Sequence, residues 1–314
     1  MSGFPAISVA TPLYNKGPFI AETIESVLAQ SFADFEIVVV DDGSTDDGVA
    51  KLSKFAEPRL RIIQEPNSGV SAARTRALRE SRGKYVAFMD ADDIWRPDHL
   101  FHLAELTRRF QGAALYGNGF IEHSATATVV TPAESVRYRV VEDYFLECAA
   151  GRSPFYTSSC MVLRERALEL GGFPAGNVCG EDLALWIRLA ACAPVAVSDY
   201  IGCIYRRGID SLSWQSSYRN AKDVSMMALT ELLEERGDWP DRRRQSAREY
   251  FSRLALAHCL DGLRAGEVVQ AKHYLLLAAS TRLSRRRLWE ARFLSFAPSQ
   301  IRKLFFCLAD SRRD

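Results

Sequence analysis

The chain has 314 residues, 47% hydrophobic and 25% charged, with 40 Lys and Arg against 39 Asp and Glu. A formal net charge of +1 excludes a globally basic nucleic-acid binder and an acidic disordered chain, and the apolar fraction suffices for one large domain or two modest ones. No run reaches the roughly 18 apolar residues of a membrane-spanning helix, and Met1 to Pro5 lacks the basic start of a secretory signal. The seven cysteines (Cys148, Cys160, Cys179, Cys192, Cys203, Cys259 and Cys307) contain no C-x-x-C pair and sit mostly among apolar neighbours. They read as reduced, buried thiols, which favours the cytoplasm.

Strand and helix patterns alternate through the first ninety residues. Ile7–Ala10 predicts a strand ending at Thr11-Pro12, and Phe19–Gln30 carries apolar residues at helical spacing. Glu36–Val40 is apolar and β-branched without alternation, as in a strand covered on both faces. A short helix is expected over Val49–Phe55, a strand at Arg61–Gln64, a helix over Ser71–Glu80 and a strand at Tyr85–Met89. Such alternation predicts an α/β fold around a mostly parallel sheet, whose ligands bind beyond the carboxyl ends of the strands. Beyond residue 113 the pattern is mixed. Strands are expected at Ala113–Tyr116, Thr128–Val130, Thr157–Leu163 and Ile201–Arg206, with helices at Val141–Ala150 and Glu181–Ala191. From Trp214 onward the pattern is nearly all helical, over Tyr218–Arg236, Arg242–Arg264, Val268–Ala279 and Leu283–Phe293. The expected organisation is a domain over 1–213 and a helical region over 214–314.

Polar clusters close three of the early strands. Asp90-Ala91-Asp92-Asp93 gathers three carboxylates that repel one another when ionised. An oxygen-rich site of this kind suits Mg²⁺ or Mn²⁺ shared with a diphosphate, and the same residues suit a solvated acidic turn before the helix at Pro97. Asp41-Asp42 suits hydrogen bonds to a nucleobase or ribose, or an Asx-turn. Thr11-Pro12-Leu13-Tyr14-Asn15 offers a hydroxyl, an aromatic ring able to stack on a base, and an amide. Glu181-Asp182 opens a helix, where acidic residues favour the helix dipole; it also suits a general base oriented by a neighbouring carboxylate.

Together these segments resemble family-2 glycosyltransferases of the GT-A fold. The resemblance rests on Thr11–Asn15, Ser26–Phe32, Val39–Asp46, Asn67–Arg74, Asp90–Asp93, Gly171–Phe173 and Gly180–Asp182 with Leu185–Leu189, occurring in that order. It covers roughly residues 6–213 and implies transfer of a sugar, with inversion, from a nucleotide-sugar, UDP by preference, to a glycan or lipid-linked acceptor. The pattern implies that Thr11, Pro12, Tyr14, Asn15, Asp41 and Asp42 surround the nucleotide and that Arg74 supports it. Asp90 and Ala91 would lie at the ribose or sugar, and Asp92 with Asp93 at Mn²⁺ or Mg²⁺. Asp182, beside Glu181, would deprotonate the acceptor. Two positions depart from the family pattern: Gly208 stands where a loop histidine is usual, and Thr75 where Asn is usual. A binding module without activity and a nucleotidylyltransferase are the competing readings; the second lacks its Gly-rich loop near the first strand.

Residues 281–314 carry nine Lys and Arg and three acids, interleaved with aromatic and aliphatic residues. This composition suits either packing against protein or peripheral contact with an anionic membrane, which would place the chain at the inner membrane face.

Overall fold

A computed structural model describes residues 4–123, 135–176, 178–206, 222–235, 239–278 and 281–310. The expected strand at Thr128–Val130 and the departure at Gly208 lie outside these residues. Two compact units form: Met1–Glu142 with Pro154–Ser225, and Asp143–Ser153 with Met226–Asp314.

The first unit begins with β1 (Ile7–Leu13), α1 (Ile20–Leu28), β2 (Phe35–Asp42), α2 (Gly48–Leu52), β3 (Leu60–Glu65), α3 (Val70–Glu80) and β4 (Tyr85–Phe88). β3, β2, β1 and β4 lie side by side, all parallel, so their carboxyl ends share one edge. Every residue of β2 is buried, which accounts for its unbroken β-branched run. α1 buries Ile20, Thr23, Ile24 and Val27, one stripe at helical spacing.

The same helix also fixes the acidic turn after β4. Thr23 Oγ1 donates to the carbonyls of Ala91 (3.1 Å) and Asp93 (2.9 Å). Ser26 Oγ accepts from Trp95 N, and Gln30 Nε2 donates to Arg96 O.

The chain continues through β5 (Ile94–Trp95), α4 (His99–Arg109), β6 (Leu115–His123), β7 (Tyr138–Val140) and α5 (Tyr144–Ala149). Then come β8 (Cys160–Leu163), α6 (Arg164–Glu169), β9 (Val178–Cys179), α7 (Glu181–Cys192), β10 (Val195–Arg206) and β11 (Lys222–Asp223). β8 joins the sheet antiparallel between β4 and β6, and β10 pairs parallel with β6. The chain therefore forms a mixed α/β fold around a large, mostly parallel sheet. Phe88 of β4, Phe173 and Trp186 of α7 meet edge-on or tilted, 5.1–5.9 Å between ring centroids, and seat α7 on the sheet.

Thr157–Ser159 forms a 3₁₀ turn rather than the start of the strand expected from Thr157. The hydroxyls explain the difference, because Thr157 and Ser158 donate to carboxylates instead of letting the backbone extend. Cys192 is exposed at the end of α7, although its alanine neighbours suggested burial; Cys148, Cys160, Cys203 and Cys259 are buried.

The second unit holds α8 (Val224–Glu235), most of which lies in it, α9 (Asp241–Ala265), α10 (Val268–Leu277), α11 (Arg285–Phe296) and α12 (Ser299–Asp310). Its core joins Leu256, Cys259, Leu263, Ala271, Leu288 and Leu294. α5 belongs here because Asp143 ties it to α9: one carboxylate oxygen caps Leu146 N (3.0 Å) and the other accepts from Ser246 (2.7 Å). Glu249 is buried and accepts from Thr281 Oγ1 and from the N–H groups of Arg282 and Leu283, which fixes the approach to α11. No helix among the described residues is long and apolar enough to cross a membrane.

His99, the first residue of α4, is fully buried against Trp95 and accepts at Nδ1 from Asn118 Nδ2 at 3.1 Å. Burial, with a contribution from His102, pushes its pKa down to about 3, so the ring is neutral. The unfolded chain takes up a proton near pH 6.5 that the folded ring refuses. Stability should therefore be lost as pH falls from about 6.5 toward 3, by up to about 1.4 kcal/mol per pH unit from this group. Urea unfolding across that range checks it, and His99→Gln should remove this component of the slope.

Candidate active site

The shared edge of the parallel strands opens into a cleft of about 850 Å³. From the end of β1 comes Pro12, from the loop after it Tyr14, Asn15 and Lys16, from β2 Asp42, from α3 Arg74, and from the turn after β4 Asp90, Ala91 and Asp92. Tyr156, Thr157, Glu181, Asp182, Tyr205 and Arg206 line the same cleft. Five carboxylates and three cations thus face one space.

Arg74 organises the centre. Its guanidinium donates to Asp90 Oδ1 at 2.7 Å and to Glu181 Oε1 at 2.8 Å, joining three segments far apart in sequence. Burial alone would lower the pKa of Arg74, but Asp90, Glu181 and Asp182 around it raise it. The carboxylates outnumber the guanidinium. Glu181 is accordingly pushed up by burial and by Asp182, although Arg74 pulls it down. Glu181 is therefore the buried partner of Arg74, whereas Asp182 stands at the cleft surface.

Asp182 is held on both oxygens. Thr157 Oγ1 donates to Oδ2 at 2.6 Å, and Leu183 N donates to Oδ1 at 2.7 Å. Gly180 takes a left-handed φ of 70° immediately before α7, which lets the chain turn into the helix that carries Glu181 and Asp182.

The three carboxylates after β4 separate into different environments. Asp90 pairs with Arg74. Asp92 faces the cleft and pairs with Lys16 Nζ at 2.7 Å. Asp93 is fully buried and does not line the cleft; its oxygens accept from Ser158 Oγ and Arg206 N. Burial first, then Asp90, pushes its pKa well above the usual carboxylate range, with the Ser158 hydrogen bond opposing. Asp93, expected beside Asp92 at a metal, turns its side chain into the protein and braces the turn.

The residues expected around a nucleotide divide likewise. Tyr14 is partly exposed in the cleft. Asn15, with φ 50°, accepts at Oδ1 from Thr45 N (2.8 Å) and ties the loop after β1 to the loop after β2. Asp42 reaches the cleft while its two oxygens accept from Ser68 N (2.7 Å) and Gly69 N (2.9 Å) at the start of α3. Asp41 is buried, accepting from Ser44 N at 3.2 Å, three residues on, and does not line the cleft. Thr11 is also buried away from the cleft, with an Oγ1 that has no hydrogen-bond partner among the described residues. Sequence reasoning missed Lys16, Tyr156 and Thr157. Lys16 directly follows a motif segment, and a polar Thr-Ser-Ser run before an apolar strand was the available signal for Thr157.

The chain's residues 8–171 match the model of a family described as glycosyl transferase family 2. The chain belongs to glycosyl transferase family 2. Within it, the chain is 43% identical over 189 residues to a Bacillus subtilis protein named as the teichuronic acid biosynthesis glycosyltransferase TuaG, covering 59% of this chain and 72% of that one. Among solved structures it resembles Staphylococcus aureus TarS 1–349 in complex with UDP-GlcNAc, with a TM-score of 0.72 at 19% identity over 96% of this chain and 92% of that one. It also resembles the mannosyltransferase PcManGT from Pyrobaculum calidifontis in complex with GDP-Man and Mn²⁺, with a TM-score of 0.62 at 19% identity over 96% and 84%. The fold is the GT-A fold of these glycosyltransferases.

Removing the central cation leaves Asp90 and Glu181 facing each other, half-shielded from water. Arg74→Met should destabilise the protein by about 3–5 kcal/mol, the usual cost of stranding a buried charge. Denaturant unfolding measures it, and Arg74→Met/Glu181→Gln should recover part of the loss.

Proposed function

We propose that this family-2 protein transfers a single sugar, with inversion, from a UDP-sugar to a hydroxyl of a glycan or lipid-linked acceptor. The observation that carries the reading is the acidic cleft at the carboxyl edge of the parallel strands, lined by both Asp92 and Asp182. The UDP-GlcNAc bound by TarS and the teichuronic acid role in the name of TuaG support donor class and glycan acceptor.

Tyr14 offers a face for stacking the nucleobase, beside Asn15 and Asp42. An anionic diphosphate entering a cleft with surplus carboxylate needs added positive charge. The donor set fits a divalent cation. Asp92 is the one carboxylate of the Asp90–Asp93 turn that is committed neither to a guanidinium nor to the interior, and Mg²⁺ or Mn²⁺ accepts one carboxylate with diphosphate oxygens and water. When bound, such a cation neutralises the charge that builds on the departing diphosphate.

Asp182 takes the proton from the acceptor hydroxyl. The acceptor oxygen bonds to the anomeric carbon as its bond to the diphosphate breaks, and the bonding pair leaves with the diphosphate. One displacement from the opposite face inverts the configuration, so no second nucleophilic carboxylate is required. Thr157 and Leu183 N keep the Asp182 carboxylate aimed, and Lys16 and Arg206 stand at the cleft to meet phosphate oxygens.

Two measurements test this reading. Asp182→Asn keeps the shape and removes the proton acceptor; kcat for transfer should fall about 10²–10⁴-fold with UDP affinity nearly unchanged. A collapse of UDP affinity with kcat preserved would make Asp182 a binding residue instead. Calorimetry of UDP with and without Mn²⁺ should show tighter binding with the metal in the parent protein and no such gain in Asp92→Ala. An equal gain in both proteins would remove Asp92 from the metal site. Hydrolysis of a panel of nucleotide-sugars identifies the donor, and binding without hydrolysis or transfer of any of them would mark a module that only binds.

A further inference from the structure

α11 is apolar on two faces. Leu288, Ala291 and Leu294 are buried in the core of the second unit. On the other side Trp289, Phe293 and Phe296 follow at spacings of four and three residues, 70%, 64% and 82% exposed. That spacing makes one outward stripe. α10 carries a second stripe at the same spacing, Val269 and Leu276, 88% and 76% exposed, with Lys272 between them. Lys272 Nζ lies 4.8 Å from the centroid of the Phe296 ring, which joins the two stripes into one surface.

Cations edge this surface. Arg285 and Arg292 stand four residues before and three after Trp289, on its face of the helix, and the Arg292 guanidinium lies 6.0 Å from the Trp289 ring centroid. The acid of that helix, Glu290, is paired with Arg286 at 3.1 Å.

We infer that this face of α10 and α11 docks on an anionic lipid surface, with Trp289, Phe293 and Phe296 in the headgroup boundary and Arg285, Arg292 and Lys272 among lipid phosphates. Aromatic rings with an edge of cations match that boundary, where Trp is enriched and each basic residue is attracted to anionic lipid. The charge pattern argues against a second copy of the chain as occupant. A two-fold contact sets a patch against itself, so the same cations would be brought together. The helices lie on the surface and do not cross it, in keeping with the lack of any spanning helix among the described residues.

Co-sedimentation of the full chain with vesicles tests the inference. The protein should bind vesicles of phosphatidylglycerol and phosphatidylcholine, bind pure phosphatidylcholine far less, and dissociate as salt rises. Trp289→Ala/Phe293→Ala/Phe296→Ala should lower partitioning at least tenfold, and Arg285→Gln/Arg292→Gln by about tenfold or more. Both variants should keep the parent's UDP affinity and thermal melting, which separates loss of docking from loss of fold and from failure of the nucleotide site. Brominated acyl chains should quench part of the tryptophan emission. Trp95, Trp186 and Trp239 are buried, and Trp214 lies outside the described residues, so the comparison is made with Trp214→Phe in both proteins; on that background Trp289→Phe should still sediment while losing that quenching. Equal sedimentation of parent and aromatic variant, no sedimentation of either, or quenching retained in Trp289→Phe overturns the inference. So does a dimer in lipid-free sedimentation velocity that the aromatic substitutions dissociate, which would give the face to self-association.

Discussion

The candidate site depends on how a buried guanidinium is shared among carboxylates. Asp90, Glu181 and Asp182 come from a strand end and a helix start, and without a cation between them their repulsion would drive those segments apart. Arg74, on the helix that precedes β4, supplies that cation and bonds two of the three. Its hold explains why Glu181 can be buried at all. It also explains a division of labour between neighbours: Glu181 is spent on structure, and Asp182 is left at the cleft with its own hydrogen bonds.

The surroundings elaborate this constraint. The turn after β4 could not keep three consecutive polar environments apart without support from elsewhere. The Thr23 hydroxyl of α1 holds its carbonyls, Ser158 and Arg206 N take up Asp93, and Lys16 meets Asp92. Loop ties such as Asn15 to Thr45 and Asp42 to Ser68 and Gly69 use side chains that also stand in or beside the cleft. The polar groups that shape the cleft are therefore largely oriented before any ligand arrives, the arrangement that costs least on binding.

The second unit follows a different logic. Its core joins Leu, Ala, Cys, Met and Phe side chains from α8, α9, α10, α11 and α12, with Gly262 letting α9 approach Ala271 of α10 closely. The leftover apolar residues on α10 and α11 serve no contact in that core. An exposed aromatic row of this kind is unusual in a helix whose other face already satisfies the need for burial.

The mostly parallel sheet, the polar ends of its early strands and the helical character of the described residues from Val224 onward were legible in local pattern, because β-branched runs, helical spacing and turn residues act over a few positions. The family was legible for the same reason: its motifs are contiguous. The start of α7 at Glu181 and the cleft positions of Tyr14, Asn15, Asp42, Asp90 and Asp92 could be read in the same way. Only the tertiary structure decided which carboxylate of Asp90-Ala91-Asp92-Asp93 is paired, exposed or buried, since that depends on Arg74, Lys16 and Ser158 arriving from distant segments. It also drew α5 away from its neighbours to α9 through Asp143 and Ser246, turned Thr157 onto Asp182, and sealed Thr11 and Asp41 away from the cleft. Residue type sets which hydrogen bonds and charges are available; three-dimensional proximity, which local periodicity does not encode, sets which of them meet.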